Sequence, residues 1–429
     1  MKTSTLASRR FARLRRATSA SGCHAVLLSA FLSWAALVSG LTPATAAAQS
    51  PDAFARCLTR LRGSRLARSI TPTTWDQHVA SVRPDSSVLV ALNAQPEFRL
   101  AIWDYFAIMV DDERVVDGRR LLGEYAPTLS RIGEQYGVDA ATITAIWGVE
   151  SNFGKGRGGL PVIRSLATLS CFGRRQSYFR GELMAALRIV QAHHVAPERF
   201  AGSWAGAFGH TQFMPGTFEW IAVDFDGDGK RDLVDNVSDA LASTANFLKR
   251  AGRWRTGAPW GFEVRVPSDA RIGREGRGVR RAVSTWSAQG ITRMDGTPLA
   301  NGVVSPNTRA ALLRPAGPRG PAFLALDNFF AVFRYNASES YALAIVHLAD
   351  RLRGGGPTVT AWPTTDLGLS RTDRRELHTL LAAHGHPVGA PTAVLTPAVV
   401  AAIRAEQTRL HLEASGRPGQ LLLAALRAK

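Results

Sequence analysis

The sequence predicts a mainly α-helical protein with a small mixed α/β insertion and a C-terminal module of three helices. Three observations carry this. Apolar residues recur at helical spacing through residues 51–135, again from 140 onward and over 237–251. Residues 262–332 break that period with short strand-like runs, FEVRVP and GPAFLALDNFFAVF, around the Gly/Arg-rich 272–281. Beyond the glycine run 353–357, the patterns LHTLLAAHGH, LTPAVVAAIRAEQTRL and LLLAALR are each one short helix. A chain of 429 residues with 45% hydrophobic and 20% charged residues can bury a large core and hold more than one domain.

In chain order, residues 1–48 read as an export signal: a basic start, an apolar run over 25–41 and small residues ending at 44–48. Ser29, Ser33 and Ser39 interrupt the apolar run, which argues against a permanent membrane anchor. Cys23 precedes that run with no Leu three residues ahead of it, so lipid attachment there is not expected. The mature protein is expected to be exported, soluble and monomeric. It would retain two cysteines, Cys57 and Cys171, either bridged in an oxidising compartment or buried as thiols. The net charge is +18, and removing the six basic residues of the first 48 leaves +12. That field suits an anionic polymer, nucleic acid or a carboxylate-bearing cell wall. No basic, aromatic-interleaved nucleic-acid module is visible, so nucleic acid is not the expected partner.

Residues 51–135 read as helices punctuated by Pro84, Pro96 and Pro127. The next stretch, AATITAIWGVESNFG over 140–154, is the most informative. Asp139 can cap it, with Val138 as a hydrophobic staple. Ile143, Ile146 and Trp147 mark one apolar face, and the next member of that face is Glu150. A carboxyl group held against Ile and Trp should titrate high, which is what an acid catalyst needs. The alternative is a Glu at a helix end that turns to solvent or pairs with an Arg. The glycines of 154–159 formally contain G-x-G-x-x-G, but they follow a helix, so a dinucleotide site is rejected. They make a turn, or bring backbone close to a ligand.

Asp224, Asp226 and Asp228, then Gly229 and the Lys230 carbonyl, have the spacing of an EF-hand calcium loop. Asp235 falls at the twelfth position, where that pattern expects Glu, and Asp232 at the ninth. An Asp-Gly turn without an ion is the other reading. His378, His384 and His386 lack zinc-ligand spacing, and H-E-x-x-H is absent, which disfavours a zinc peptidase.

WGVESNFG, GRRQSYFRGEL (173–183), SWAGAFGHTQFMPGTFEWIAVDFDGDGKRDL (203–233) and RYNASESYALAI (334–345) resemble, in this order, the blocks of the membrane-bound lytic transglycosylase B family, enzymes that cleave peptidoglycan glycan strands. The resemblance implies a lysozyme-like catalytic domain over 49–353 with Glu150 as its single acid and base. It implies that Arg174 and Arg175 face the cleft toward peptide-stem carboxylates. Ser203, Gln212, Phe213, Asn336 and Tyr341 would line the sugar sites. It also implies a longer metal loop that closes on a later acid, Asp239. No cofactor is required for this chemistry, and a structural calcium is expected. Residues 354–363 read as a linker. Residues 364–429 resemble the small three-helix peptidoglycan-binding module, although the usual Gly-containing turns are replaced by 390–394. The expected partner is therefore the glycan strand and the expected location the periplasm. A muramidase that uses water would need a second carboxylate, which the motifs around Glu150 do not offer. A non-catalytic wall-binding scaffold is the rival from another class.

Overall fold

The structure is a computed structural model and describes residues 50–94 and 100–428. The export-signal reading of residues 1–48 lies outside these. The chain begins with α1 (Pro51–Arg62), α2 (Pro72–His78), α3 (Ser86–Ala94), α4 (Ile102–Met109), α5 (Asp112–Glu124), α6 (Ala126–Tyr136) and α7 (Ala140–Ser151). Then come α8 (Val162–Cys171), α9 (Gln176–Gln191), α10 (Pro215–Ile221) and α11 (Val237–Arg250). α12 (Val283–Ser287) lies in the insertion, and α13 (Asp327–Phe333) and α14 (Glu339–Leu352) return to the main body. The helical starts follow from side-chain caps. Ser50, Thr71, Asp111, Asp139, Asn236 and Ser338 each accept a backbone N–H of the first turn, worth about 0.5–2 kcal/mol apiece. α5 and α6 meet at Tyr125, where Pro127 opens the second helix, as a proline can open a helix but not continue one.

α7 is the centre of the larger core. Nine of its twelve residues are buried, so it is covered on all sides and is not the one-faced helix its spacing predicts. Its small residues explain this. Ala141, Ala145 and Gly148 let neighbours close in where a long side chain would have kept them away, and a Cβ on Gly148 would lie 2.8 Å from the Phe153 ring. α5, α11 and α14 supply the surrounding wall through Val115, Leu241, Ala245, Ala342, Ile345 and Val346.

A second core joins α1, α8, α9 and α10 around Phe54, Leu166, Leu183, Phe208 and Phe218. Here Cys57 and Cys171 are disulfide-bonded, with Cα atoms 5.8 Å apart. A two-stranded ribbon, β1 (Leu160–Pro161) and β2 (Ala201–Gly202), runs antiparallel beside it.

The insertion is a five-stranded antiparallel sheet of β3 (Gly261–Arg265), β4 (Arg280–Ala282), β5 (Thr292–Arg293), β6 (Arg309–Leu313) and β7 (Ala322–Ala325), in the order β4-β6-β7-β3-β5. β6 shows the two-residue period of a strand buried on both faces. Ala310 and Leu312 pack on Trp286 and Val283 of α12, while Ala311 and Leu313 join the core around α7.

α15 (Arg371–Ala383), α16 (Pro397–Arg409) and α17 (Gln420–Arg427) form the C-terminal module around Leu377, Leu381, Ile403 and Leu423. The segment expected to be a linker is docked. Val359 and Thr360 N–H donate to Glu263 at 2.7 and 2.8 Å, and the Trp362 ring lies edge-on to Phe106. Three histidines of the module have protein partners: His378 is buried between backbone groups of Val388 and Thr392, and His384 and His386 both meet Glu406. No helix among the described residues is long and apolar enough to cross a membrane.

Candidate active site

Asp139 fixes the start of α7, accepting Thr142 N–H at 3.0 Å and Thr142 Oγ1 at 2.8 Å. Glu150 stands in the last turn, half-buried. The Tyr341 hydroxyl donates to Glu150 Oε1. Tyr341 is itself buried on α14, whose N-cap Ser338 accepts its backbone N–H. Burial, followed by the charge of Glu150, pushes the Tyr341 phenol well above its ordinary pKa of 10. It therefore stays protonated and keeps its O–H for the Glu150 carboxyl group. One oxygen of the carboxyl group is anchored, and with it the direction the group faces.

Tyr335, which the sequence reading passed over, is also part of this region. Burial, then the Glu150 charge, raises its phenol well above 10. Its hydroxyl donates to the Thr211 carbonyl at 2.7 Å, and its ring packs on Phe247 and Phe213. It lies next to Asn336 in the same RYNASESY block, which is the signal that could have found it. Asn336 is exposed on the turn between α13 and α14, five residues before Tyr341.

The ribbon side is built from residues 201–213. Ser203 Oγ accepts Ala207 N–H at 3.1 Å, closing a tight turn, and Phe208 pairs with Phe213. Gln212 has φ +51° and donates Nε2 to the carbonyls of Arg157 and Gly209 at 3.0 and 2.9 Å. Phe213 corrects its expected role. It is 2% exposed, packed in the second core, so it supports the site from behind and does not line it. The 154–159 turn meets protein as well: a Cβ on Gly158 would lie 2.2 Å from the Gly202 carbonyl.

His210, to which the sequence assigns no role, sits against the C-terminal end of α7. It accepts the Trp147 indole N–H on Nδ1 at 3.1 Å, and its carbonyl accepts Ser151 Oγ at 2.5 Å. Burial, then the Arg157 charge, lowers its pKa to about 4, so it is a neutral acceptor near pH 7.

Arg174 and Arg175 are exposed, and with Tyr178, Trp204 and Met214 they line a cavity of about 290 Å³. Arg174 donates to the Leu92 carbonyl at 2.9 Å, and the Arg175 guanidinium lies over the Tyr178 ring at 4.5 Å. Trp204 follows Ser203 directly, so this cavity adjoins the ribbon wall.

Oxygens of Asp224, Asp226 and Asp239 lie within 4.8 Å of one another, the only such cluster of three or more His, Cys, Asp or Glu among the described residues. Asp239 is fully buried and accepts the Phe225 and Asp232 N–H groups at 2.7 and 2.8 Å. Burial, then the charges of Asp226 and Asp224, raises its carboxyl to about 6. Three converging carboxylates, one of them buried, are a donor set that fits a hard dication with oxygen ligands. The other acids of the EF-hand count lie outside this cluster. Asp235 is ion-paired with Arg199, and Asp228 accepts the Lys230 N–H at 2.8 Å in a local turn. Asp232 likewise caps Val234 and Asp235. The extra residues move the closing acid to Asp239, at the start of α11.

Known proteins match this chain in two segments. The family model of the transglycosylase SLT domain matches residues 53–350, and that of a peptidoglycan binding domain matches residues 370–426. Membrane-bound lytic murein transglycosylase B of Escherichia coli (strain K12) is 35% identical over 241 residues, which span 56% of this chain and 64% of that relative. SltB3 from Pseudomonas aeruginosa, solved in complex with NAG-anhNAM-pentapeptide, superposes with a TM-score of 0.70 at 45% identity, covering 87% of this chain and 99% of that one. Slt35 of Escherichia coli in complex with calcium gives a TM-score of 0.61 at 29% identity, covering 71% and 93%. The SLT match alone takes in α1 to α14 with Glu150, Tyr341 and the carboxylate cluster, and the chain belongs to the transglycosylase SLT domain family.

Proposed function

We propose that this chain is a peptidoglycan lytic transglycosylase that cleaves the MurNAc-β-1,4-GlcNAc bond and leaves 1,6-anhydromuramoyl ends. The observation that carries the reading is Glu150, set at the end of a buried helix and oriented by the O–H of a phenol that stays protonated. Glu150 would give its proton to the glycosidic oxygen as an oxocarbenium-like sugar forms. The same carboxylate, still held by Tyr341, would then take the proton of the C6 hydroxyl of that sugar. The C6 oxygen closes on C1, and its high effective concentration favours it over water. Ser203, Gln212 and Asn336 would orient the sugar and its acetamido group, and Arg174 and Arg175 would meet peptide carboxylates. The anhydro sugar in the ligand of SltB3 supports this outcome. A wall substrate would lie outside the cytoplasm, which supports the export-signal reading of residues 1–48 and a periplasmic location. Mass spectrometry of digested sacculi is expected to give muropeptides one water lighter than their reducing counterparts. Reducing ends as the main product would instead make the enzyme a muramidase.

Calcium would be held by Asp224, Asp226 and Asp239, as a structural ion that ties the loop to α11; the calcium complex of Slt35 supports this. The folded pKa of Asp239, about 6, lies above its unfolded value. In chelator, the stability from that proton is therefore complete below about pH 4 and lost as pH rises through 6. Calcium replaces the proton. At pH 7 the protein is expected to melt higher with calcium than with chelator, by about 2.7 kcal/mol at a hundredfold excess over Kd. The gap should narrow as pH falls through 6. Identical melting in calcium and chelator at pH 7 would remove the ion from the account.

A further inference from the structure

The turn that ends α7 is unusual. Asn152, Phe153 and Gly154 have φ of +49°, +57° and +84° in succession. Left-handed backbone is strained for a non-glycine residue and persists only where its surroundings hold it. Phe153 is held by packing edge-on against Trp147, and the Gly154 N–H donates to Ser151 Oγ at 2.8 Å. Asn152 is held from the C-terminal module. Arg371, the first residue of α15, donates Nη1 to Asn152 Oδ1 at 2.5 Å. The same guanidinium forks onto Asp111, Nε to Oδ2 at 2.7 Å and Nη2 to Oδ1 at 2.8 Å. Both side chains of this pair are buried, at 9% and 2% exposure. Asp111 in turn caps α5, accepting the Arg114 N–H at 2.9 Å. One planar fork thus joins α5, α7 and α15, a geometry that a point-charge ammonium does not reproduce. The module has other anchors: Arg375 pairs with Glu113, and Arg417 bonds Asp104 at 2.8 and 2.6 Å. Its docking therefore does not depend on Arg371 alone.

We propose that the C-terminal module is a working part of the active site: Arg371 is a positioning residue that, through Asn152, fixes the left-handed turn two residues after Glu150. The proposal rests on Glu150 being the acid. A module that only tethers the enzyme to the wall changes retention on sacculi; a module that sets the end of α7 changes turnover of any glycan.

The test is kcat and KM of the full chain on a soluble, uncrosslinked glycan oligosaccharide, where tethering has no role. Arg371→Lys keeps a charge facing Asp111 but loses the fork. Asn152→Gly tolerates positive φ and removes the acceptor, whereas Asn152→Asp keeps an acceptor. Both Arg371→Lys and Asn152→Gly are expected to lower kcat about tenfold with KM nearly unchanged. Asn152→Asp should stay close to wild type. The double variant Arg371→Lys/Asn152→Gly should be no worse than the worse single one, because both changes cut the same link. Losses that multiply in the double variant, an Asn152→Asp as slow as Asn152→Gly, or wild-type kcat in Arg371→Lys would each overturn the proposal. Should Arg371→Lys fold poorly, the two Asn152 variants decide alone. Glu150→Gln in the same assay separates the two levels of the argument. Its inactivity alongside normal Arg371 and Asn152 variants refutes only the positioning role, and its activity refutes the acid on which that role rests.

Discussion

Glu150→Gln is expected to bind glycan as the wild type does and to lose nearly all turnover. The amide has the size of the carboxyl group, and its carbonyl oxygen can still accept the Tyr341 hydroxyl that Oε1 accepts now. The helix beneath it is held by its buried residues and by the Asp139 cap, none of which the substitution touches. Folding and binding are therefore preserved. The amide can neither give a proton to the glycosidic oxygen nor take one from the C6 hydroxyl, so both proposed steps fail together. General acid–base groups contribute about 10²–10⁴ in rate, and one group serving twice places the loss at the upper end. Release of soluble muropeptides gives the rate, and co-sedimentation with sacculi gives the binding. A variant that kept more than about a tenth of the wild-type rate, under about 1.4 kcal/mol of barrier, would remove Glu150 from the mechanism.

Where an interaction is local in sequence, it was legible. Asp139 caps α7 as its position implies, and the acids of 224–228 lie in one polar loop as their spacing implies. The order of the four motif blocks also brought Tyr341 into the sugar-site set, but its hydrogen bond to Glu150, 191 positions away, is a finding of the structure. What stayed hidden depends on competition between partners or on contacts between distant elements. EF-hand spacing alone points to Asp235, which Arg199 ion-pairs; the motif resemblance, and not the spacing, pointed to the fully buried Asp239 of the cluster. Gln212 and Phe213 are neighbours with opposite surroundings. The left-handed turn at Gln212 sends the next side chain into the core, and no periodicity announces a single positive φ. The all-round burial of α7 depends on which helices surround it, and its Ala, Thr and Gly positions permit that without demanding it. Arg371 and Asn152 are 219 residues apart, in segments that resemble two separate families, so each family pattern stops short of the bond between them.

Removing the Cys57–Cys171 bridge is expected to have the largest effect on stability and a smaller one on the chemistry. The bond closes a separation of 114 residues between α1 and α8. The chain-entropy account gives about 4–5 kcal/mol for a loop of that size, and measured losses in small secreted domains run about 2–5 kcal/mol. Both cysteines are nearly buried, near the contact of Phe54 with Phe172, so the bridge lies where α1 covers the second core. Cys57→Ala/Cys171→Ala is the cleaner variant, because serine would bury hydroxyls at the same place. Loosened α8 would first disturb the β1–β2 ribbon that leads into Ser203 and the Arg174–Arg175 cavity, since α8 follows β1 directly. α7 belongs to the other core and keeps its cap and its Tyr341 contact. The double-alanine protein should therefore melt well below the wild type in denaturant or heat, and below its melting point show a higher KM with kcat largely kept. Two free thiols titrated in the denatured, unreduced wild-type protein would show that no bridge forms, and equal unfolding midpoints with and without reductant would show that it contributes nothing.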